Sequence, residues 1–134
     1  MKEMIYNVLP KRELLDSGIY NGFKYYIMNL GMHPTAYVEI PENHKYYHDR
    51  NYDKMYIHVH GGLTYSDNHL WIAENEAIAG WFIGWDYGHA GDYCGFYDLQ
   101  EDTKWFNDKN KKWTTEEILE DVKSGCEQLL KVGD

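Results

Sequence analysis

The chain has 134 residues, a length typical of one domain with one hydrophobic core. Its formal net charge is −9, so it lacks the basic surface that duplex DNA or RNA requires, and an anionic membrane is disfavoured for the same reason. The two cysteines, Cys94 and Cys126, have no paired spacing, which argues against a disulfide scaffold or a Cys-rich zinc site. The N-terminal residues lack the apolar stretch of a signal peptide, and no run has membrane-spanning length. We therefore expect a soluble protein of the cytoplasm.

The first half of the chain predicts strands. Residues 2–17 are expected to hold a short strand, followed by a turn or a short helix. Asn21-Gly22 lies between two runs rich in β-forming residues, which is typical of a two-residue hairpin with a strand on each side. Another strand is predicted at Thr35–Ile40, between two prolines. A long polar loop is then expected over residues 42–53.

The middle of the chain predicts three further strands. Met55–His60 alternates between apolar and polar residues, which favours a half-buried strand. A short strand is predicted at Leu70–Ile72, and a mostly buried strand at Trp81–Trp85. Residues 73–80 are expected to form a loop or a wide turn.

The C-terminal segment predicts an amphipathic helix. Thr114 precedes Glu117 by three residues, which is the pattern of a capping box, and Gly133 supplies a stop. The apolar stripe of this helix contains Ile118, Leu119, Val122, Cys126, Leu129 and Leu130. Cys126 is therefore expected to be a core thiol. Together the elements predict a single α+β domain: one antiparallel or mixed β-sheet with the C-terminal helix packed on one face.

Titratable side chains gather where two predicted strands end in glycines. His58 and His60 lie two residues apart and would point the same way along a strand. Asp86, His89 and Asp92 follow at three-residue steps. We expect His60, Asp86 and His89 to build a functional pocket. The alternative is that the histidines are merely exposed and that the aspartates mark ordinary turns.

Two kinds of chemistry fit these side chains. His60, Asp86, His89 and Asp92 can be ligands of a divalent metal such as Zn²⁺, Mn²⁺, Mg²⁺ or Fe²⁺. The same groups can act without a metal as an acid–base pair, with Asp86 orienting His89. A nucleophilic pair of Cys94 with a histidine is a weaker alternative.

The glycine pair after His60 has two interpretations. The backbone N–H groups of Gly61-Gly62 can approach an anion, or the pair can simply form a tight turn. Because residues 54–92 contain a single cation, Lys54, a bound phosphate would need help from elsewhere, such as Arg50. Flat rings are expected to supply stacking faces for a base. The predicted ligand-contacting residues are Gly61, Gly62, Thr64, Tyr65, Trp71, Trp81, Trp85 and Asp92.

Two motifs resemble a family of small phage and prophage proteins. His60-Gly61-Gly62-Leu63-Thr64-Tyr65 is similar to the family segment VHGGLTY, and Trp81-Phe82-Ile83-Gly84-Trp85-Asp86 with His89-Ala90-Gly91-Asp92 is similar to WWIGFDCAHAGD. His44 matches a recurring histidine in the preceding loop, and we therefore add it to the predicted ligand-contacting residues. The likeness covers roughly residues 35–92. The chain departs from the pattern at Trp85 and at Tyr87-Gly88. His58 is not a fixed position of the family, which favours the histidine and aspartates of the two motifs.

The resemblance identifies a family rather than an activity. By analogy with other small phage proteins, it implies an accessory protein that acts against host defence in the cytoplasm of the host cell. We expect a nucleotide-derived ligand, such as a cyclic or modified ADP-ribose or a cyclic dinucleotide. Three hypotheses follow: a module that binds and sequesters such a ligand, a hydrolase that cleaves it, and an acidic antagonist that blocks a host protein.

Overall fold

The computed structural model describes residues 12–30, 33–93, 105 and 108–133. The predictions for residues 2–11 and for Cys94 lie outside this part of the chain. The described residues form five strands, a 3₁₀ turn and one long helix. They are β1 (Glu13–Tyr20), β2 (Phe23–Asn29), β3 (Pro34–Glu39), the 3₁₀ turn (Tyr52–Lys54), β4 (Tyr65–Ala73), β5 (Glu76–Asp86) and α1 (Thr115–Gly133).

The strands form one sheet in the order β1-β2-β3-β5-β4, and every neighbouring pair is antiparallel. The helix α1 packs against strands β1, β2 and β3. The predicted α+β architecture, a sheet with a C-terminal helix on one face, is therefore confirmed, in its antiparallel form.

Each face of the sheet has its own buried cluster, because side chains alternate along a strand. The cluster under α1 includes Ile27, Val38, Ile83 and Trp85. The opposite face buries Met28, Tyr37, Leu70 and Phe82. The two edge strands, β1 and β4, also contact each other. The sheet therefore curls around this second cluster, which explains how a face without a helix is kept from water.

The hairpin signal at Asn21-Gly22 is confirmed. Both residues have positive φ, 51° for Asn21 and 85° for Gly22, as the two-residue turns of hairpins require. Strand β1 begins at Glu13, so the turn or short helix expected up to Ser17 is wrong. The reason is tertiary: β1 pairs along the whole of β2, from Glu13 opposite Asn29 to Tyr20 opposite Phe23.

The helix begins with the predicted capping box. The backbone N–H of Glu117 donates to Thr114 Oγ1 at 3.2 Å, and the backbone N–H of Thr114 donates to Glu117 Oε1 at 3.0 Å. The buried stripe contains Ile118, Val122, Gly125, Cys126 and Leu129. Leu130, predicted to belong to it, is 46% exposed, because it lies one residue beyond Leu129 and turns away from the sheet.

The strand predicted at Met55–His60 is wrong. This segment belongs to no ladder; it runs beside α1, whose side chains bond part of its backbone. The N–H of His58 donates to Gln128 Oε1 at 2.6 Å, and Gln128 Nε2 donates back to the carbonyl of His58 at 2.8 Å. The alternating apolar residues are real, since Met55 and Ile57 are buried. They face the helix and the core rather than a neighbouring strand.

The loop predicted at residues 73–80 is also wrong. Strands β4 and β5 form a long hairpin in which Ala73 pairs with Glu76, so only Glu74 and Asn75 lie outside the strands. The short strand predicted at Leu70–Ile72 is thus the end of a nine-residue strand. No helix among the described residues is long and apolar enough to cross a membrane.

Candidate functional site

The histidines and aspartates of the two motifs meet at the end of β5. His60 Nε2 lies 2.7 Å from Asp92 Oδ2, and His89 Nε2 lies 3.2 Å from Asp86 Oδ1. The two imidazole rings contact each other edge to face, with centroids 5.7 Å apart. The structure therefore brings the four side chains into one site made of two His–Asp pairs.

Asp92 is the most buried member of the site, with 4% of its surface exposed. Its Oδ2 accepts the His60 imidazole and, at 3.0 Å, the backbone N–H of His89, while its Oδ1 accepts the Trp113 indole N–H at 2.8 Å. Burial by itself would raise the pKa of Asp92, but these hydrogen bonds outweigh it and lower the pKa. Asp92 is therefore an anion that is fixed by three donors.

The His60 ring is held on several sides. It stacks on Tyr87 with an interplanar angle of 2° and centroids 5.0 Å apart, and the Trp113 ring lies against it at 4.7 Å. The backbone N–H of His60 donates to Asp121 Oδ2, in α1, at 3.1 Å. Both the ring and the backbone of His60 are thus fixed by groups from distant parts of the chain.

Tyr87 connects the core of the sheet to the helix beneath the site. Its hydroxyl accepts the indole N–H of Trp85 at 2.9 Å and donates to Asp121 Oδ2 at 2.6 Å. Burial, together with the hydrogen bond to Asp121, raises the pKa of Tyr87. Tyr87 therefore remains a neutral phenol that orders the floor of the site.

The second pair, Asp86 and His89, is positioned by close contacts with the backbone. Asp86 Oδ1 accepts the N–H of Gly88 at 3.0 Å, and Oδ2 accepts the Thr64 hydroxyl at 3.3 Å. The His89 ring lies directly on the backbone of Gly61, where an added Cβ would overlap Nε2. His89 Nε2 is buried and lies near Asp86 Oδ1, but the two atoms do not form a hydrogen bond. This nitrogen is an unsatisfied polar group at the centre of the site.

The glycine pair forms a turn. The N–H of Gly62 donates to the carbonyl of Val59 at 2.9 Å, and Gly61 and Gly62 have φ of 69° and 82°. The N–H of Gly62 is therefore used inside the chain, which favours the turn over the anion cradle. Gly61 serves a further purpose, because only a residue without Cβ leaves space for His89.

Several predicted ligand-contacting residues do not join the site. Trp85 is 1% exposed and belongs to the core under α1. Trp81 is 3% exposed and is covered by the loop of residues 47–50. Trp71 is exposed in β4 near His69. Tyr65 packs against Tyr37 in the cluster on the other face of the sheet.

His44 is also outside the site. Its Nε2 lies 2.8 Å from the carbonyl of Leu129, near the end of α1, and its Nδ1 accepts the N–H of Tyr46 at 3.0 Å. Since Nδ1 accepts, Nε2 carries the proton and donates to the helix carbonyl. His44 ties the polar loop to the helix.

The described residues contain no group of three or more His, Cys, Asp or Glu side chains arranged to hold a metal ion. The bonding of Asp92 gives the reason, since its two oxygens already receive three N–H groups. The His58 side chain is exposed. Within the described residues the four side chains of the site are arranged as two His–Asp pairs.

Three residues of the site were not predicted: Tyr87, Trp113 and Asp121. Tyr87 lies within the second motif, so its position beside Asp86 was a usable signal. Trp113 and Asp121 come from the segment before α1 and from α1 itself. Only the pairing of distant segments places them beside His60, and no local pattern marks that pairing.

No model of a protein family matches the chain, and neither a characterised protein nor a solved structure is significantly similar to it.

Proposed function

We propose that the two His–Asp pairs are the active site of a hydrolase that acts by acid–base catalysis on a small nucleotide-derived molecule. One observation carries the proposal: two imidazoles, each beside a carboxylate, contact each other at a centroid distance of 5.7 Å. Hydrolysis needs two proton transfers, because the attacking water loses a proton and the leaving oxygen gains one. Two adjacent imidazoles supply both.

The hydrogen bond to Asp92 fixes the tautomer of His60. An ionised carboxylate only accepts hydrogen bonds, so His60 Nε2 carries the proton. In the neutral ring the lone pair then lies on Nδ1, for which the described residues supply no partner. His60 Nδ1 is therefore placed to take a proton from water, with Asp92 stabilising the imidazolium that forms.

The second pair completes the reaction. His89 gives a proton to the leaving oxygen through Nδ1, because its Nε2 is buried beside Asp86 Oδ1, at 3.2 Å. The rigid turn at Gly61 holds the His89 ring in place. The nucleotide class of the substrate is taken by analogy with small phage proteins that act on nucleotide signals of host defence, and the bond to be cleaved is then a phosphodiester or a related bond.

The test is turnover of cyclic dinucleotides and cyclic ADP-ribose derivatives, followed by chromatography of the products. His60→Gln and His89→Gln are each expected to lower kcat by about 100-fold or more, the usual contribution of a general acid or base. His58→Gln is the matched control, because its exposed side chain lies two residues from His60 and outside the site. Unchanged turnover in both site variants, or equal loss in the control, contradicts the proposal.

A second candidate is binding of the same class of molecule without cleavage. The observation in its favour is the rigidity of His60, which Tyr87 and Trp113 hold in a preformed orientation. Trp81 and Trp85, which were predicted to stack on a base, are buried away from the site. Trp113 is the indole that lies beside the site. Mass spectrometry of the molecule released on denaturation separates the two: an intact ligand in stoichiometric amount favours binding, and cleaved products favour hydrolysis.

A further inference from the structure

A cavity lies on another part of the sheet, away from the His–Asp pairs. It has a volume of about 240 Å³ and is lined by His48, Arg50, Asn68 and Trp81. Trp81 precedes Asp86 by five residues in β5, which corresponds to roughly 17 Å along a strand. The cavity is therefore separate from the proposed active site.

The walls of this cavity are hydrogen-bond donors. The His48 imidazole, the Arg50 guanidinium and the Asn68 amide all border it, and no carboxylate is among its lining residues. The Asn68 carbonyl oxygen lies 3.1 Å from His69 Nδ1, so the free end of the amide is its NH₂ group. A surface that carries a guanidinium and is richer in donors than in acceptors is complementary to an acceptor-rich group.

Arg50 is held in a fixed orientation. Its guanidinium carbon lies 5.1 Å from the centre of the buried Trp81 ring, and its Nη1 lies 2.6 Å from Asp67 Oδ1. Asp67 engages one nitrogen, and the described residues supply no partner for the N–H groups on Nη2 and Nε. A guanidinium anchored in this way loses less entropy when it binds a second oxyanion.

His48 is held in an uncommon backbone conformation. Its φ is 67°, and among the described residues only Asn21, in the hairpin turn, shares positive φ without being glycine. Its ring stacks on Tyr47 at 4.1 Å and contacts the Trp81 ring edge-on at 5.1 Å. Left-handed backbone is strained at a residue that carries a side chain. The contacts maintain this conformation, which keeps the imidazole at the rim of the cavity.

We propose that this cavity binds the phosphate or carboxylate group of a small molecule. Arg50 supplies the charge and a fork of two N–H groups, His48 and the Asn68 amide supply further donors, and Trp81 is the floor that positions Arg50 and His48. In a chain of net charge −9, a donor-lined cavity around one of only two arginines is a local exception to the acidic surface. Its role is recognition rather than chemistry.

The experiment is a titration of the ¹⁵N-labelled full chain with inorganic phosphate, glycerol phosphate and acetate at constant ionic strength, with sodium chloride as the reference. Saturable shifts are expected at the Trp81 indole N–H, the Asn68 amide and the backbone of residues 48–50. Tighter binding of glycerol phosphate than of free phosphate identifies a phosphate ester as the ligand class. Preference for acetate identifies a carboxylate.

Arg50→Gln is expected to weaken binding by about tenfold or more, as for the loss of a hydrogen bond to a charged group. Arg12→Gln, at the other arginine, is the matched control and should bind as the unmodified chain does. Both side chains are exposed, and a dispersed spectrum verifies the fold of each variant. Shifts that do not saturate, equal binding by the two variants, or shifts confined to the residues around His60 and His89 overturn the proposal.

Discussion

Asp92 Oδ2 accepts the Nε2–H of His60 at 2.7 Å, although the two residues lie 32 positions apart in the chain. Asp92 itself follows the end of β5, and His60 belongs to a segment that lies along α1. This one hydrogen bond therefore joins the two motifs of the site. It also determines which nitrogen of His60 is left for chemistry.

The lowered pKa of Asp92 makes a pH-dependent contribution to stability. A carboxyl group with a lowered folded pKa stabilises the protein fully above its unfolded pKa of about 3.9, and this stabilisation is lost as the pH falls through the lower folded value. Asp92→Asn is expected to lower the free energy of unfolding by about 1–3 kcal/mol at pH 7, because it removes a charged acceptor from three donors. The difference between variant and unmodified chain should shrink below pH 4.

Urea denaturation at a series of pH values measures this difference. Asp53→Asn is the control, since Asp53 is exposed in the 3₁₀ turn. A gap between Asp92→Asn and the unmodified chain that stays constant from pH 7 down to pH 2 would show that the ionised carboxylate contributes nothing.

Gly61 and Gly62 provide a matched pair of substitutions. Both have positive φ, but a Cβ at Gly61 would overlap the His89 ring, whereas a Cβ at Gly62 has open space around it. Gly62→Ala is expected to cost only the backbone penalty of about 1 kcal/mol. Gly61→Ala should cost roughly 2–4 kcal/mol, because the overlap adds to that penalty.

The unfolding free energies of the two variants measure this difference, and the imidazole signals of His89 report the displacement of the ring. The His89 signals should shift in Gly61→Ala and stay in place in Gly62→Ala. Equal stabilities with unchanged His89 signals would mean that the ring does not pack on Gly61.

Met55–His60 shows which structural features a local sequence pattern predicts and which it does not. Its alternation correctly indicated that Met55 and Ile57 are buried, yet the segment is not a strand. Its backbone N–H groups donate to the side chains of Tyr46, Asp121 and Gln128, and the last two lie some sixty or seventy residues further on. Hydrophobic periodicity reports which side chains are buried and says nothing about which groups the backbone bonds. Periodicity also did not indicate the strand pairing of residues 73–80, which were predicted as a loop although β5 begins at Glu76.

The site likewise has one part that the local sequence pattern predicts and one part that it does not. The step of three residues from Asp86 to His89 is local, and the spacing in the sequence was enough to bring the pair to attention. The partners of His60 are Asp92, Trp113 and Asp121, and their approach depends on how the segment after β5 and the helix α1 dock. Two of the tryptophans lie outside the site for a related reason: Trp81 and Trp85 are on the face of the sheet that α1 covers and are buried there, where an aromatic ring has the most apolar surface to bury.

The Tyr87 hydroxyl is predicted to stabilise the fold beneath the site. Tyr87→Phe leaves the buried indole N–H of Trp85 without an acceptor and removes the donor to Asp121. We expect the free energy of unfolding to fall by about 1–3 kcal/mol. Tyr56→Phe is the control, because Tyr56 is 77% exposed and its hydroxyl has no partner among the described residues.

Chemical denaturation of the two variants measures this effect, and the control should change stability by no more than about 0.5 kcal/mol. If Tyr87→Phe is as stable as Tyr56→Phe, a water molecule or a rearranged Trp85 must take the place of the hydroxyl, and the chain of hydrogen bonds from the core to His60 is not needed for folding.

The thiol of Cys126 is predicted to be inert in the folded protein. It is 0% exposed within the stripe of α1, and burial raises its pKa to about 12. At pH 8 a thiol of this pKa is about one part in ten thousand thiolate, against about a quarter for an ordinary cysteine of pKa 8.5. In a Cys94→Ser background, a disulfide-exchange reagent should therefore label native protein at least about 100-fold more slowly than protein in 6 M urea. Labelling of the native chain at the rate of the unfolded chain would contradict this prediction. It would mean that α1, and Asp121 with it, separates frequently from the sheet and from His60, although Ile118, Val122 and Leu129 are buried in that interface.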